Sequence, residues 1–522
     1  MKQNIYLVGF MGSGKSTVGK LLAQGLNRTF VDMDAVLEKR IGKPIAEVFA
    51  TAGEEYFRTR EHQLLLSLSR GRRQVVATGG GVPEKKENRW LMRGSGTVVH
   101  LQSDLASCIK RLSASETNAR PLWKDRSFIE GLYQRRGNLY DESDLSLSVD
   151  GRSPGDVAQE IIRHLYRDQA FSTEMGGERS QVRITYTAPT VLGEVIRERR
   201  VTLLTDRRVA QLHLERFEPH LKAALAIVVS PGERSKSLDT AQRIYERLLA
   251  HRFDRDDLLV ALGGGVITDL GAFVASTYKR GMGLCLVSTT LLGCVDAALG
   301  GKAAVNLAQA KNSVGSFTVP EAVLLDVTAL RTLGRRQISE GLVEAYKTGL
   351  VACPELAQLV QREYKPLLSG DLPLLAEVVG LSARTKAEVV AKDFRESGLR
   401  RILNLGHTFG HGVEGAHKFK VSHGQAVALG MRVAVELSRS RGLIGDEDAD
   451  KMQATLRAIS PYRIEIPSLD EAWEIMTHDK KIRGGRMIFV LLKAVGEAVC
   501  VNDVSRKEVA MVLKVLEAKK DG

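Results

Sequence analysis

Several groups of residues in this sequence have types and spacings that can do chemistry. Gly9-Phe10-Met11-Gly12-Ser13-Gly14-Lys15-Ser16 has the spacing G-x-x-x-x-G-K-[ST]. Such a loop converges backbone N–H groups on phosphate oxygens, lets the lysine reach the terminal phosphates and leaves the serine hydroxyl for Mg2+. Its bland alternative is a glycine-rich turn with no ligand. Asp32 and Asp34 point to one side if the chain stays extended, so they can serve Mg2+ and a substrate hydroxyl, although such a pair alone is more often a solvated loop. Gly79-Gly80-Gly81 and Gly263-Gly264-Gly265 each allow close approach of backbone to a ligand. The second triplet is not G-x-G-x-x-G, so a dinucleotide there needs support from other residues. His407 and His411 share one face if residues 403–413 are helical, which suggests a metal. His423 and Glu344 can complete a two-histidine, one-carboxylate set with an open position, but the sequence does not show that they meet, and an unrelated pair of helical histidines is the alternative. The protease pattern H-E-x-x-H fails, because Thr408-Phe409-Gly410 supplies no general base.

These groups need elements to hold them. Residues 4–8 read as a short buried strand, followed by the glycine-rich loop and an amphipathic helix over 17–26. Apolar β-rich runs at 75–78 and 97–101, separated by helical patterns, predict a parallel sheet with helices on both faces. Residues 167–181 are small and polar around a Gly-Gly pair and read as a linker. A second α/β pattern follows, with strands expected near 201–205, 226–229, 258–262 and 284–287. Thr205-Asp206, Gly232-Glu233-x-x-Lys236 and Thr289-Thr290 fall near its strand ends, where an open α/β sheet collects its ligand. After residue 326 helical periodicity dominates until a strand-like run at 487–492.

Composition narrows the classes. At 522 residues the chain exceeds what one hydrophobic core usually supports, and 43% hydrophobic with 26% charged residues is an ordinary globular balance. The net charge of +13 is spread along the chain without a dense basic block or interleaved aromatics. That argues against a nucleic-acid partner and suits anionic small substrates. Five cysteines without C-x-x-C spacing argue against a disulfide framework or a thiolate zinc site. No apolar run has the length of a secretory or membrane-spanning segment. The expectation is a cytoplasmic protein with no membrane partner.

The phosphate loop, Asp32-x-Asp34, Gly53-Glu54-x-x-Phe57-Arg58-x-x-Glu61, Gly79–Gly81, Arg120-Pro121-Leu122 and Arg136-x-x-x-Tyr140 occur in the order and spacing of the shikimate kinases, which residues 1–165 resemble. The resemblance implies ATP with Mg2+, with Gly12, Ser13, Gly14, Lys15, Ser16 and Thr17 around the phosphates and Ser16 and Asp32 at the Mg2+. It implies that Asp34, Arg58, Gly80 and Arg136 hold shikimate, the two arginines gripping its carboxylate, and that Arg120 closes over ATP from a lid near 110–125. Lys15, Arg120 and Asp34 are then the catalytic group, Asp34 orienting the attacking hydroxyl.

Residues 182–515 resemble the 3-dehydroquinate synthases. The match rests on Pro231-Gly232-Glu233-x-x-Lys236-Ser237, Gly263–Asp269, Ser288-Thr289-Thr290-Leu291, Asp296 with Gly300-Gly301-Lys302, Lys311-Asn312, Glu340-Gly341-x-x-Glu344-x-x-Lys347, Arg400-x-x-x-Asn404-x-Gly406-His407-Thr408-x-Gly410-His411, His423-Gly424 and Asp479-Lys480-Lys481. It implies a divalent metal, Zn2+ or Co2+, on Glu344, His407 and His423. NAD+ would lie on Asp206, Glu233, Lys236, Gly264, Gly265, Asp269, Thr289 and Thr290, with Lys302 and Lys311 nearby. Arg280, Asp296, Asn312, Lys386, Arg400, Asn404, Lys480 and Lys481 would surround 3-deoxy-D-arabino-heptulosonate 7-phosphate, and Lys302, Lys347 and His411 would act in catalysis. Two departures stand out: Gln425 where the family commonly has Glu after His-Gly, and Leu333-Gly334-Arg335-Arg336-Gln337 where Leu-Pro is usual.

Together these resemblances imply an α/β chain: a P-loop kinase domain over 1–166, the linker 167–181, a Rossmann-like NAD-binding domain over 182–328 and a mostly helical metal- and substrate-binding domain over 329–522. They also suggest a homodimer through the C-terminal unit. A polyol dehydrogenase of the related metal and NAD group would keep the folds but release NADH, and the basic substrate residues disfavour it. A catalytically dead binding module would lack ligands, and none is missing.

Overall fold

Strand β1 (Asn4–Val8) is buried along its whole length, as a parallel strand covered on both faces must be. With β2 (Thr29–Asp32), β3 (Gln74–Ala77), β4 (Gly96–Gln102) and β5 (Leu145–Ser148) it forms an all-parallel sheet of order β2-β3-β1-β4-β5. Tyr6, Val8, Met33, Leu64, Leu65 and Val76 lie in the main core against this sheet. The computed structural model describes residues 4–111, 126–140, 142–166, 168–307, 310–417, 420–462, 464–478 and 487–518, and the chain divides into two units, 1–167 and 168–522.

The second unit is built on a seven-stranded sheet of order β6-β7-β14-β11-β10-β8-β9. Its members are β6 (Gln169–Met175), β7 (Glu178–Thr185), β8 (Val201–Asp206), β9 (Leu225–Val229), β10 (Leu258–Gly263), β11 (Gly283–Ser288) and β14 (Ala322–Asp326). All neighbours are parallel except the hairpin β6-β7. That hairpin corrects the linker expected over 167–181. The Gly176-Gly177 pair turns it with φ of 59° and 86°, the left-handed geometry that two-residue hairpin turns require. β6 is an edge strand with alternate residues exposed, so it needs little apolar sequence.

A separate two-stranded hairpin, β12 (Lys302–Leu307) and β13 (Ala310–Phe317), carries Lys302, Lys311 and Asn312. The rest is helical up to the hairpin β15 (Phe489–Ala494) with β16 (Glu497–Val501). Phe409 and Val413 of helix His407–Ala416 and Leu429 and Val433 of helix His423–Ser440 share a core with Phe489 and Leu491. This packing holds the two histidine-bearing helices in place. Among the described residues no helix is long and apolar enough to cross a membrane.

Candidate active sites

In the first unit the turn after β1 builds a phosphate cradle. Gly12 has φ 78°, and a Cβ there would lie 2.5 Å from the Cys108 carbonyl oxygen, so the loop closes only on glycine. Helix Lys15–Leu26 starts from Gly14 with no side-chain cap, which leaves its first N–H groups open to an anion. Ser13 is buried and its Oγ has no hydrogen-bond partner, an orphan that a phosphate oxygen would satisfy. Lys15 Nζ turns back onto the carbonyls of Gly9 and Phe10 at 2.9 and 2.8 Å. Ser16 and Thr17 are exposed on the first turn, and Ser16 Oγ donates to Asp32 Oδ2 at 2.6 Å. These donors fit ATP with Mg2+.

Asp32 and Asp34 do not stay on one extended strand. Asp32 Oδ1 accepts from the Asp34 and Ala35 N–H groups and starts helix Met33–Ile41, because Asp is a strong N-cap. Arg58 donates to Glu61 Oε2 at 2.9 Å and to Glu54 Oε1 at 3.1 and 3.3 Å. Burial pushes the Glu61 carboxyl up to about 7, against the pull of Arg58 and with reinforcement from Asp34. Arg136, buried on helix Arg126–Tyr140, donates from Nε to Glu84 Oε1 at 2.5 Å. Tyr140 Oη donates to the Gly80 carbonyl at 2.7 Å. Glu54, Glu84, Phe128, Leu132 and Arg136 line a cavity of about 410 Å3. Glu84 had no signal in the sequence. Arg120, with most of the expected lid, and Lys480 and Lys481 lie outside the described residues.

In the second unit the strand ends open on a cavity of about 1460 Å3 whose wall includes Asp206, Glu233, Gly264, Thr289, Lys302 and His423. Asp206 ends β8, and its Oδ1 caps the next helix through the Arg208 and Val209 N–H groups at 2.8 and 2.9 Å. Helix Gly265–Thr277 starts at Gly264 without a side-chain cap, which suits a pyrophosphate. Lys236 Nζ bridges Asp269 Oδ2 and Asn312 Oδ1, each at 2.5 Å, and Asn306 Nδ2 donates to Glu233 Oε1 at 2.8 Å. The hairpin β12-β13 is thereby locked to the loop before helix Leu238–Ala250. Gly265, Thr290, Asp296, Lys311, Asn404 and His411 complete the same wall. These loops fit a dinucleotide.

The expected metal ligands converge. Ligand atoms of Glu344, His407 and His423 lie within 4.8 Å of one another. Each histidine turns Nε2 toward Glu344 Oε1, at 3.7 Å for His407 and 3.5 Å for His423. The other ring nitrogen is held from outside: His407 Nδ1 by the Leu405 carbonyl and His423 Nδ1 by Glu414 Oε2, both at 3.3 Å. Both rings thus direct Nε2 toward the carboxylate with Nδ1 held from behind, the orientation that metal-binding histidines adopt. Glu344 is fully buried beside the Lys347 ammonium, yet neither of its oxygens has a hydrogen bond of normal geometry. Such a donor set fits a divalent cation. His411 stands beside the cluster, 5.7 Å from His407 between ring centroids.

Burial works against the charge on Asp296, but Lys386 and Lys347 outweigh it and hold the carboxyl well below its usual range. Lys386 Nζ donates to Asp296 Oδ1 and to its carbonyl at 2.5 and 2.6 Å. Arg400 is buried and anchored on the Phe394 carbonyl. Glu396 pairs with Lys302 and accepts from Asn404 Nδ2 at 2.6 Å; neither Glu396 nor Glu414 was expected. Lys347, Lys386 and Arg400 lie behind the cavity wall, Lys386 reaching it through Asp296, and Arg280 stands apart. It lies exposed at the far end of helix Gly265–Thr277, outside the cavity wall.

The two unusual segments turn out to touch. Gln337 accepts from the Gly334 N–H at 3.1 Å and so starts helix Arg335–Ala352, which carries Glu344. Gln425 accepts from the Ser422 N–H and hydroxyl at the start of the helix that carries His423, and Arg336 donates to Gln425 at 3.0 Å. The two ligand-bearing helices are therefore latched at their starts, and neither departure removes a ligand.

His423 gives a pH dependence. Burial lowers its affinity for a proton, but Glu344 and Glu414 outweigh burial and raise it to about 10 in the metal-free chain. A raised pKa stabilises the metal-free fold fully below the ordinary value near 6.5, and that contribution is lost as pH rises through about 10. Zinc must displace this proton, so its apparent affinity should rise with pH, by up to about tenfold per unit between 7 and 9. Chelator competition at fixed ionic strength measures it, and a flat profile would contradict the assignment.

Fold and sites define a P-loop phosphotransferase unit joined to an α/β unit with a nucleotide-type sheet end and a Glu-His-His cluster. The shikimate kinase family matches residues 11–166, the N-terminal 3-dehydroquinate synthase family residues 226–340, and its C-terminal counterpart residues 341–482. The bifunctional shikimate kinase/3-dehydroquinate synthase of Thermotoga maritima is 33% identical over 94% of this chain and 96% of its own length. The 3-dehydroquinate synthase of Nitrosospira multiformis is 39% identical over 61% of this chain and 88% of its own. Among solved structures, the 2-epi-5-epi-valiolone synthase ValA of Streptomyces hygroscopicus, with NAD+ and Zn2+ bound, superposes with a TM-score of 0.61 at 27% identity, over 65% of this chain and 96% of its own. The chain belongs to the family of bifunctional shikimate kinase/3-dehydroquinate synthases.

Proposed function

We propose that the unit over 1–166 transfers the terminal phosphoryl group of ATP to shikimate, and that the second unit converts 3-deoxy-D-arabino-heptulosonate 7-phosphate to 3-dehydroquinate and phosphate. In the first unit the N–H groups of Gly12 to Thr17 and Lys15 gather the phosphates, and Ser16 with Asp32 holds Mg2+. Asp34 orients the attacking hydroxyl and accepts its proton. Arg58, Arg136 and Gly80 hold shikimate, and Arg120 closes over ATP. Since Glu84 already occupies Arg136 Nε, its carboxylate competes with that of the substrate for the Arg136 guanidinium. Glu84→Gln should therefore bind shikimate about three- to tenfold more tightly by calorimetry, whereas the uncharged methyl ester should bind the parent and the variant alike.

In the second unit the part over 182–328 carries the nucleotide and the part from 329 onward carries Glu344, His407 and His423 for the metal. When bound, NAD+ accepts and returns a hydride and the divalent metal polarises a substrate hydroxyl, so no net oxidation results. Asp206, Glu233, Lys236, Gly264, Gly265, Asp269, Thr289 and Thr290 position the dinucleotide. Lys302, Lys311, Asn312, Lys386, Arg400 and Asn404, with Lys480 and Lys481, pair with the carboxylate and phosphate of the substrate, and Asp296, which accepts from Lys386, holds that lysine in place. Lys347 keeps the Glu344 carboxylate ionised, and His411, beside the ligand cluster, moves protons to and from the substrate.

The observation that carries this reading is the convergence of two Nε2 atoms on the buried Glu344 at a cavity lined by nucleotide-type loops and cations. Its test is phosphate release from the heptulosonate phosphate with NAD+ and Zn2+ while absorbance at the NADH band stays flat. NADH accumulating from a polyol, with no phosphate, would overturn it.

The resemblance of the second unit to the 3-dehydroquinate synthases points to a homodimer through that unit. Sedimentation of the chain as a monomer at assay concentration would count against that. A cytoplasmic location is supported by cysteines that are all unpaired, and recovery of the chain from a periplasmic or extracellular fraction would refute it.

A further inference from the structure

Helix His407–Ala416 presents His407, His411 and Glu414 at positions i, i+4 and i+7, one face of a helix. Glu414 is buried, and its two oxygens go to two different places. Oε2 faces Nδ1 of His423 at 3.3 Å, on the side of the ring away from Glu344. Oε1 faces Nζ of Lys311 at 3.3 Å, across 103 residues of sequence, on the hairpin that also bears Asn312.

A buried carboxylate set between an ammonium and an imidazole divides its interaction between the two. Pulling Lys311 toward an incoming anion leaves Glu414 with His423 alone, and the carboxylate then draws harder on the Nδ1 proton. That makes the opposite nitrogen, Nε2, a better electron donor. Resting on the assignment of His423 as a metal ligand, we propose that Glu414 is a positioning residue that couples the metal-binding imidazole of His423 to the anion-facing Lys311. The charge on Lys311 thereby sets the metal affinity, and a bound anion that engages Lys311 raises it.

The test is the dissociation constant for Zn2+ alone, by chelator competition, in the full chain and in Glu414→Gln, Lys311→Met and the double variant. Glu414→Gln should weaken zinc binding about 10- to 100-fold, with partial recovery in Glu414→Asp. Lys311→Met should tighten it by a few-fold, and that gain should vanish when Glu414 is already Gln. Unchanged zinc affinity in Glu414→Gln, or a Lys311→Met effect that persists in the double variant, would overturn the coupling. His407→Ala separates the two levels of the argument: if it too leaves zinc binding unchanged, the metal assignment itself has failed. Circular dichroism and the thermal unfolding of the same preparations, compared with the parent, report on folding.

Discussion

His407→Ala abolishes phosphate release from the heptulosonate phosphate at zinc and NAD+ concentrations that saturate the parent. The loss follows from the ligand count. His407 and His423 supply the two Nε2 atoms that face Glu344, and two ligands do not make a tight zinc site in competition with water. The remaining Glu344 carboxylate then keeps Lys347 and His423 beside it, so the pocket survives without its metal. Zinc affinity should fall by more than the roughly 100-fold that outer-sphere changes cost, and phosphate release by at least about 10³. ADP formation from ATP and shikimate should stay at the parent rate. Phosphate release above a tenth of the parent rate, with zinc retained, would remove His407 from the ligand set.

Lys15→Ala produces the complementary loss, in which ADP formation with shikimate falls about 10²- to 10³-fold in kcat and phosphate release from the heptulosonate phosphate persists. The ammonium of Lys15 lies on two carbonyls of its own loop, Gly9 and Phe10. It is thus held over the cradle and has only to exchange those oxygens for phosphate oxygens. Its removal costs two backbone contacts, about 1 kcal/mol each before screening, too little to unfold a unit with the core around Tyr6, Leu64 and Val76. Steady-state kinetics with varied ATP should show the loss mainly in kcat. A variant that loses only ATP affinity, with kcat intact, would assign Lys15 to uniform binding of nucleotide and not to the transition state.

Much of this architecture was legible in the residues. Parallel strands covered on both faces demand continuous apolar runs, and β1, β10 and β11 have them. The phosphate loop and the strand-end motifs were equally visible, because glycines and short acidic or hydroxyl residues have few other uses at strand-to-helix junctions. The hairpin β6-β7 escaped because an edge strand needs apolar residues on one side at most, and Gly176-Gly177 resembles a flexible joint as much as a tight turn. The extended pair at Asp32 and Asp34 gave way to a cap, since the Asp32 side chain competes for the backbone N–H groups that follow it. The acidic residues Glu84, Glu396 and Glu414 were missed for a common reason. Their partners Arg136, Lys302 and Lys311 are 52, 94 and 103 positions away, and only the fold brings them together. Glu414 alone had a signal, its place on the helix face of His407 and His411.

The central claim is that one chain holds two separate active sites, and the most direct measurement supplies all substrates at once. The purified chain, given ATP, Mg2+ and shikimate together with the heptulosonate phosphate, catalytic NAD+ and Zn2+, is followed by 31P NMR for 3-phosphoshikimate, ADP and inorganic phosphate. The account predicts that both reactions run together, that Lys15→Ala removes only the first and His407→Ala only the second, and that NADH does not accumulate. A chain that makes only one product, or whose phosphate release consumes NAD+ in proportion, would contradict it.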